Sequence, residues 1–145
     1  MIPASVRTAW EAAYRQADYC VLLPAGELVL RVDRHLQTDD QRLREGAGVV
    51  SHWAMITPCN PGSQMLSAKE NRQRLDEFSR ILQELHIRSI SSVNRNPQVK
   101  WQDEPGFLLC DPPPNLAEQL GRRFRQNAIL VGRLADAPQL LWLID

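Results

Sequence analysis

Residues able to do chemistry are sparse in this chain, and the most informative are Asn60, Asn71, Trp101, Glu104, Gln126 and Asn127. The amides both donate and accept hydrogen bonds, so they suit recognition of a polar ligand. Trp101 offers a flat face for stacking. Glu104 is a candidate general acid or base, with Trp101 and the nearby Asp103 expected to raise its pKa. Asn71 lies seven residues before Phe78 in a helical pattern, which sets an amide on an apolar stripe. Without a partner there it would cost about 1–3 kcal/mol. Each residue also has a purely structural reading. Asn60 and Asn71 would tie a loop to a helix start, and Glu104 would pair with a surface lysine or arginine. Gln126 and Asn127 would close a helix C-terminus, where Asn tolerates the left-handed conformation.

Other reactive groups carry less. Cys59 precedes a helix start, where a thiol can be activated, but His35, His52 and His86 are scattered and none stands in a motif with it. The same scatter gives no close metal spacing, so no metal is expected. Arg122, Arg123 and Arg125, with Arg133 beyond, form a basic cluster. It complements a helix C-terminus by default, and alternatively grips a phosphate or carboxylate. Trp10, Trp53 and Trp142 read as core or sheet-packing residues. There is no phosphate-cradling glycine loop, dinucleotide fingerprint or Ser/His/Asp motif, and no cofactor is expected.

The elements that must position these groups fit in one domain, 1–145, large enough for a real core without metal or disulfide. Lys+Arg and Asp+Glu balance at 17 each, which argues against nucleic acid and anionic membranes as partners. Cys20, Cys59 and Cys110 are odd in number and far apart, as expected of a reducing, cytoplasmic setting. The first ten residues lack the apolar run of a secretory signal, and no window suits a membrane span.

Periodicity predicts a helix over 5–17 with Val6, Ala9, Trp10 and Ala13 on one face, then a hairpin of strands 19–23 and 27–32 around Pro24-Ala25-Gly26. Residues 37–45 are polar, a short helix or loop, and 49–57 is an apolar run suited to a buried strand. Ser67 and Glu70 have capping-box spacing ahead of a helix whose stripe is Leu75, Phe78, Ile81, Leu82 and Leu85. Strand 88–93, a turn at Asn94-Arg95-Asn96-Pro97 and strand 107–110 follow. Asn115 and Glu118 repeat the capping spacing before a helix bearing Leu116, Leu120 and Phe124, and strands 128–131 and 140–144 close the chain.

From 49 to 131 the order is strand, helix, strand, strand, helix, strand, which is the ferredoxin-like split βαβ order. The fold class expected is α+β: a mixed, mostly antiparallel sheet with helices packed on it, extended by the N-terminal hairpin and the C-terminal strand. If strand 49–57 runs upward, Asn60 is at its top, and the next helix starts there with Asn71. A right-handed crossover sends strand 88–93 up again, so the loop holding Trp101 and Glu104 is also at the top. The last helix climbs to the same edge with Gln126 and Asn127. Separate segments therefore meet on one rim.

The stretches Thr57-Pro58-Cys59-Asn60-Pro61, Asn71 with Leu75, Trp101-Gln102-Asp103-Glu104 and Phe124-Arg125-Gln126-Asn127-Ala128-Ile129 resemble the hallmarks of the bacterial domain-of-unknown-function 3293 family. The likeness covers about 54–131 well and the first third loosely. The sequence departs from that pattern at Cys59, where an aromatic residue is usual, and at Arg125, where a glycine is usual. The resemblance implies a shape and a set of positions, not a reaction. The leading expectation is a rim that binds a small polar or anionic ligand. The alternatives are an enzyme using Glu104 as acid or base, and an interaction module pairing through outer strands 19–23 or 140–144, as monomer or homodimer.

Overall fold

A computed structural model describes residues 2–98 and 101–144 of the chain. Its elements run α1 (Ala4–Gln16), β1 (Asp18–Leu23), β2 (Gly26–Leu30), α2 (Gln37–Arg42), β3 (His52–Ile56), α3 (Ala68–Glu84), β4 (Ser89–Arg95), β5 (Glu104–Cys110), α4 (Leu116–Arg123), β6 (Ala128–Arg133) and β7 (Gln139–Trp142). All the strands join one seven-stranded sheet in the order β2-β1-β4-β5-β3-β6-β7. The fold is α+β, and every pairing in the sheet is antiparallel, where a mixed sheet was expected.

The sheet has a core on each face. Alternation along the strands sends Tyr19, Val21, Leu28, Leu30, Trp53, Met55, Leu108 and Leu130 to one side. Ile56, Leu109 and Ile129 go to the other, where they meet Phe78, Ile81 and Leu82 of α3 and Leu120 with Phe124 of α4. Phe78 stacks on Phe107 and meets Phe124 edge-on. The first face curls around its own core. Its two margins meet where the Asp33 amide donates to the Pro138 carbonyl at 2.9 Å. Near the top of that concave side, α1 lies across the opening. None of its residues is fully buried, and Tyr19 Oη holds its last turn by donating to the Tyr14 carbonyl at 2.8 Å.

Several sequence expectations shift for physical reasons. The capping box forms, with Ser67 Oγ accepting the Glu70 amide at 3.1 Å and the Glu70 carboxylate accepting the Ser67 amide. Leu85, expected on the stripe, closes the helix and is 48% exposed. The run 49–57 enters the sheet only at His52. Asp111 diverts its first amides, accepting Val50, Ser51 and His52 N–H groups at 2.9, 2.7 and 3.0 Å, and Val50 is 79% exposed. Asn115 is left-handed (φ 69°) after the three prolines and makes no side-chain cap. Strand 19–23 is internal, flanked by β2 and β4, so the outer strands are β2 and β7. The β2 edge is covered: Arg42 donates to the Gly26 and Glu27 carbonyls and Arg34 to that of Val29.

Candidate functional site

The most consequential shift is at β4 and β5. Asn94 and Arg95, expected in a turn, belong to β4, and Glu104, expected in a loop, opens β5 directly opposite Asn94. Pro105 and Gly106 fall outside the strand expected at 107–110, yet each has a role in the ladder's neighbourhood. The Pro105 carbonyl accepts Thr57 Oγ1 at 2.7 Å. Gly106 lets β5 approach β3, since a Cβ there would stand 2.4 Å from the Ile56 carbonyl oxygen. The period of two then puts Glu104 on the same face as Leu108, inside the curl of the sheet.

Asn60 is the hinge of the site. It is left-handed (φ 49°), a conformation Asn tolerates, and only 3% exposed. Its Nδ2 donates to Glu104 Oε2 at 2.7 Å, and its Oδ1 accepts the Leu66 amide and Asn71 Nδ2, both at 2.9 Å. Asn71 Oδ1 in turn accepts the Asn60 amide at 3.0 Å. The structural reading of these two amides therefore holds: they tie loop to helix. Through Asn60 that tie also orients the carboxyl.

Gln126 closes α4 with its backbone, its amide donating to the Gly121 carbonyl at 2.9 Å while the Arg125 amide donates to that of Arg122 at 3.0 Å, so the expected C-terminal closure holds for Gln126 but not for Asn127. Arg125 takes the left-handed position (φ 58°) that favours glycine, and both amides are buried in the site. Gln126 Nε2 donates to the Cys59 carbonyl at 3.0 Å and to that of Phe124 at 3.3 Å. Asn127 Nδ2 donates to Ser63 Oγ at 2.8 Å and Tyr14 Oη at 3.1 Å, which themselves meet at 2.9 Å. Arg74 stitches the two loops further, reaching the Pro58 and Phe124 carbonyls.

These groups surround a cavity of about 220 Å³. Asn60, Trp101, Glu104, Gln126 and Asn127 line it; Asn71 does not, and acts through Asn60. Trp101 stands 37% exposed. Sequence reasoning missed the wall from α1 and β1, which brings Trp10, Tyr14 and Tyr19, and the polar Asn94, Arg95 and Asn96 from the end of β4. The available signal was the pair Tyr14 and Tyr19, the chain's two tyrosines, at a helix-to-strand junction. Trp10, read as core, is a cavity wall.

Burial pushes the Glu104 carboxyl above the usual carboxylate range, against the opposing pull of Asn60 and Trp101. The expected cause is thus corrected: Trp101 acts in the other direction, and Asp103 faces Arg95 at 3.3 Å. No ion pair holds Glu104 among the described residues. The Tyr19 hydroxyl is also raised, by burial first and then by Tyr14 and Glu104. Cys59 is 1% exposed, and burial raises its thiol too, the opposite of an activated nucleophile. The basic cluster lies elsewhere. Arg122 binds Glu118 and the Leu143 carbonyl, and Arg123 binds Glu77.

A family model described as "Protein of unknown function (DUF3293)" matches residues 56–129, just over half of the chain. The chain belongs to this family. The DUF3293 segment runs from the end of β3 to the start of β6 and holds the Asn60–Glu104 pair with Asn71, Trp101, Gln126 and Asn127. The tyrosine wall lies outside it. No curated protein and no solved structure matches the chain. No helix among the described residues is long and apolar enough to cross a membrane.

Proposed function

We propose that this DUF3293 member is a small-ligand-binding domain whose site is the cavity at the open end of the curled sheet. The observation that carries the reading is the Asn60–Glu104 hydrogen bond of 2.7 Å inside that cavity. A carboxyl oriented by a buried amide and walled by aromatic and aliphatic side chains suits a polar head joined to an apolar body. The anionic ligand loses support, because Arg122, Arg123, Arg125 and Arg133 lie outside the lining and a carboxyl lies within it.

A second reading follows from the same carboxyl. Its raised proton affinity and its fixed partner suit a general acid or base, so Glu104 is the residue of choice for catalysis should the bound molecule react. The order β4-β5-β3-β6 supports taking residues 49–131 as a ferredoxin-like split βαβ core within a single domain, 1–145. Three free, buried thiols support a reducing, cytoplasmic setting.

The test is a thermal-shift screen of the full chain against small amines, amides, nucleobases and carboxylates. A true ligand at about a hundredfold above its Kd stabilises by roughly 2.7 kcal/mol. The expected hits lose their effect in Glu104→Gln. Hits that stabilise that variant as well as the wild type would place binding elsewhere and overturn the site.

A further inference from the structure

The hydrogen bonds that build the cavity have a direction. Asn127 has two amide hydrogens, and they go to Tyr14 Oη and Ser63 Oγ. Gln126 likewise directs Nε2 to two main-chain carbonyls, an arrangement that fixes its amide orientation because carbonyls only accept. Both residues line the cavity with their donors used, which leaves Asn127 Oδ1 and Gln126 Oε1 as the groups still able to bond. Glu104 adds carboxylate oxygens, of which Oε2 has a neutral amide as its partner. Around Glu104, Gln126 and Asn127 the lining therefore presents acceptors, with the donors of both amides already spent.

Charge points the same way. Arg95 is the guanidinium in the lining, and it is matched from outside by Glu27 at 2.9 Å and Asp103 at 3.3 Å. Glu104 has no cation beside it among the described residues. The walls include Trp10, Tyr14, Tyr19 and Trp101, rings whose faces attract a positive charge. At about 220 Å³ the space is below the range usual for drug-sized ligands, so it suits a body of roughly one ring.

We propose that the ligand is an organic cation, an ammonium or amidinium group on a compact aromatic or aliphatic body, with Glu104 as its counter-charge. This rests on the cavity being a binding site. The head donates N–H bonds to Glu104 and to the free amide oxygens, the body lies among the aromatic walls, and the Trp101 side is the way in. A charged N–H bond to a buried carboxylate is about twice as strong as a neutral one, so the charge of the head dominates selection.

Calorimetric titration of the full chain with benzamidine, benzamide and benzoate tests this, since the three share a ring and differ in the charge of the head. Benzamidine is expected to bind at least about tenfold tighter than either of the others. Glu104→Gln, checked for folding by its melting curve, should erase that preference. Trp101→Leu, at the exposed mouth, should weaken benzamidine too and serves if the first variant does not fold. Benzamide or benzoate binding as tightly as benzamidine would overturn the cation assignment and leave the cavity as a site. Benzamidine binding unchanged in the variants would remove it from this cavity. No binding by any of the three would overturn both the cation and the site.

Discussion

Asn60 and Glu104 stand 44 residues apart in sequence and 2.7 Å apart in space, joined by an amide donating to a carboxylate oxygen. Asn60 is buried and left-handed in backbone, and it carries bonds to Leu66 and Asn71 at the same time. One residue thus shapes the loop after β3 and aims the acid that opens β5.

Replacing Asn60 with Ala removes these bonds and strands a partly buried carboxyl. The expected loss is about 2–4 kcal/mol in urea unfolding. Asn71→Ala should cost less, and the double variant should fall short of additivity by about 0.5–3 kcal/mol because the pair bond is shared. Strict additivity would show that the two amides do not interact in solution.

Two carboxyls should shape stability against pH in opposite directions. Burial raises the Glu104 value in the folded state. The folded protein is therefore penalised as pH climbs from the unfolded chain's carboxylate range through the folded value, and Glu104→Gln should flatten that decline. Asp111 is also opposed by burial, but the Val50, His52 and Ser51 amides outweigh it and hold its value below the ordinary one. Its stabilisation is present above the unfolded value and fades as pH falls through the folded one. Asp111→Asn should weaken the protein at neutral pH by about 1–3 kcal/mol and make it less sensitive to acid. Unfolding curves at a series of pH values separate the two, and parallel curves for both variants would contradict the assignments.

Gly106→Ala tests the approach of β5 to β3. The added methyl would meet main-chain atoms of Ile56 and Thr57 at 2.4 and 2.9 Å, which side-chain motion cannot relieve. A loss of about 1–3 kcal/mol or more is expected, together with weaker ligand binding, since Glu104 lies two residues away. An unchanged melting temperature would mean that the strands do not pack this closely.

Much of this arrangement was legible in the sequence, and the limits were physical. Period-2 and period-3.6 patterns located the strands and α3, and the Ser67–Glu70 spacing gave its start. Chain reversals then placed Asn60, Glu104 and Asn127 at one end. Three things escaped. Pro105 and Gly106 have the composition of a break, and Glu104 before them read as a loop residue; only the contact with Ile56 explains the glycine. The curl of the sheet depends on a meeting of Asp33 with Pro138, which no local pattern encodes. And α1 contributes a wall through Tyr14, whose partners Ser63 and Asn127 lie 49 and 113 residues on.

The thiols give a separate check. Cys20, Cys59 and Cys110 are buried, and burial raises each of them. Reaction with an alkylating reagent at neutral pH should be slow in the native protein and complete on unfolding. Rapid native modification of Cys59 would contradict its place behind the loop.

The central claim is that Glu104 is a carboxyl held in a cavity rather than on the surface. Its side-chain carbon resonance, followed against pH with and without saturating benzamidine, tests this most directly. Expected is a midpoint above the ordinary 4.5, moving down once the amidinium is bound. A Glu104 that titrates at the ordinary value and ignores benzamidine would place it in open solvent, and the site with it would be gone.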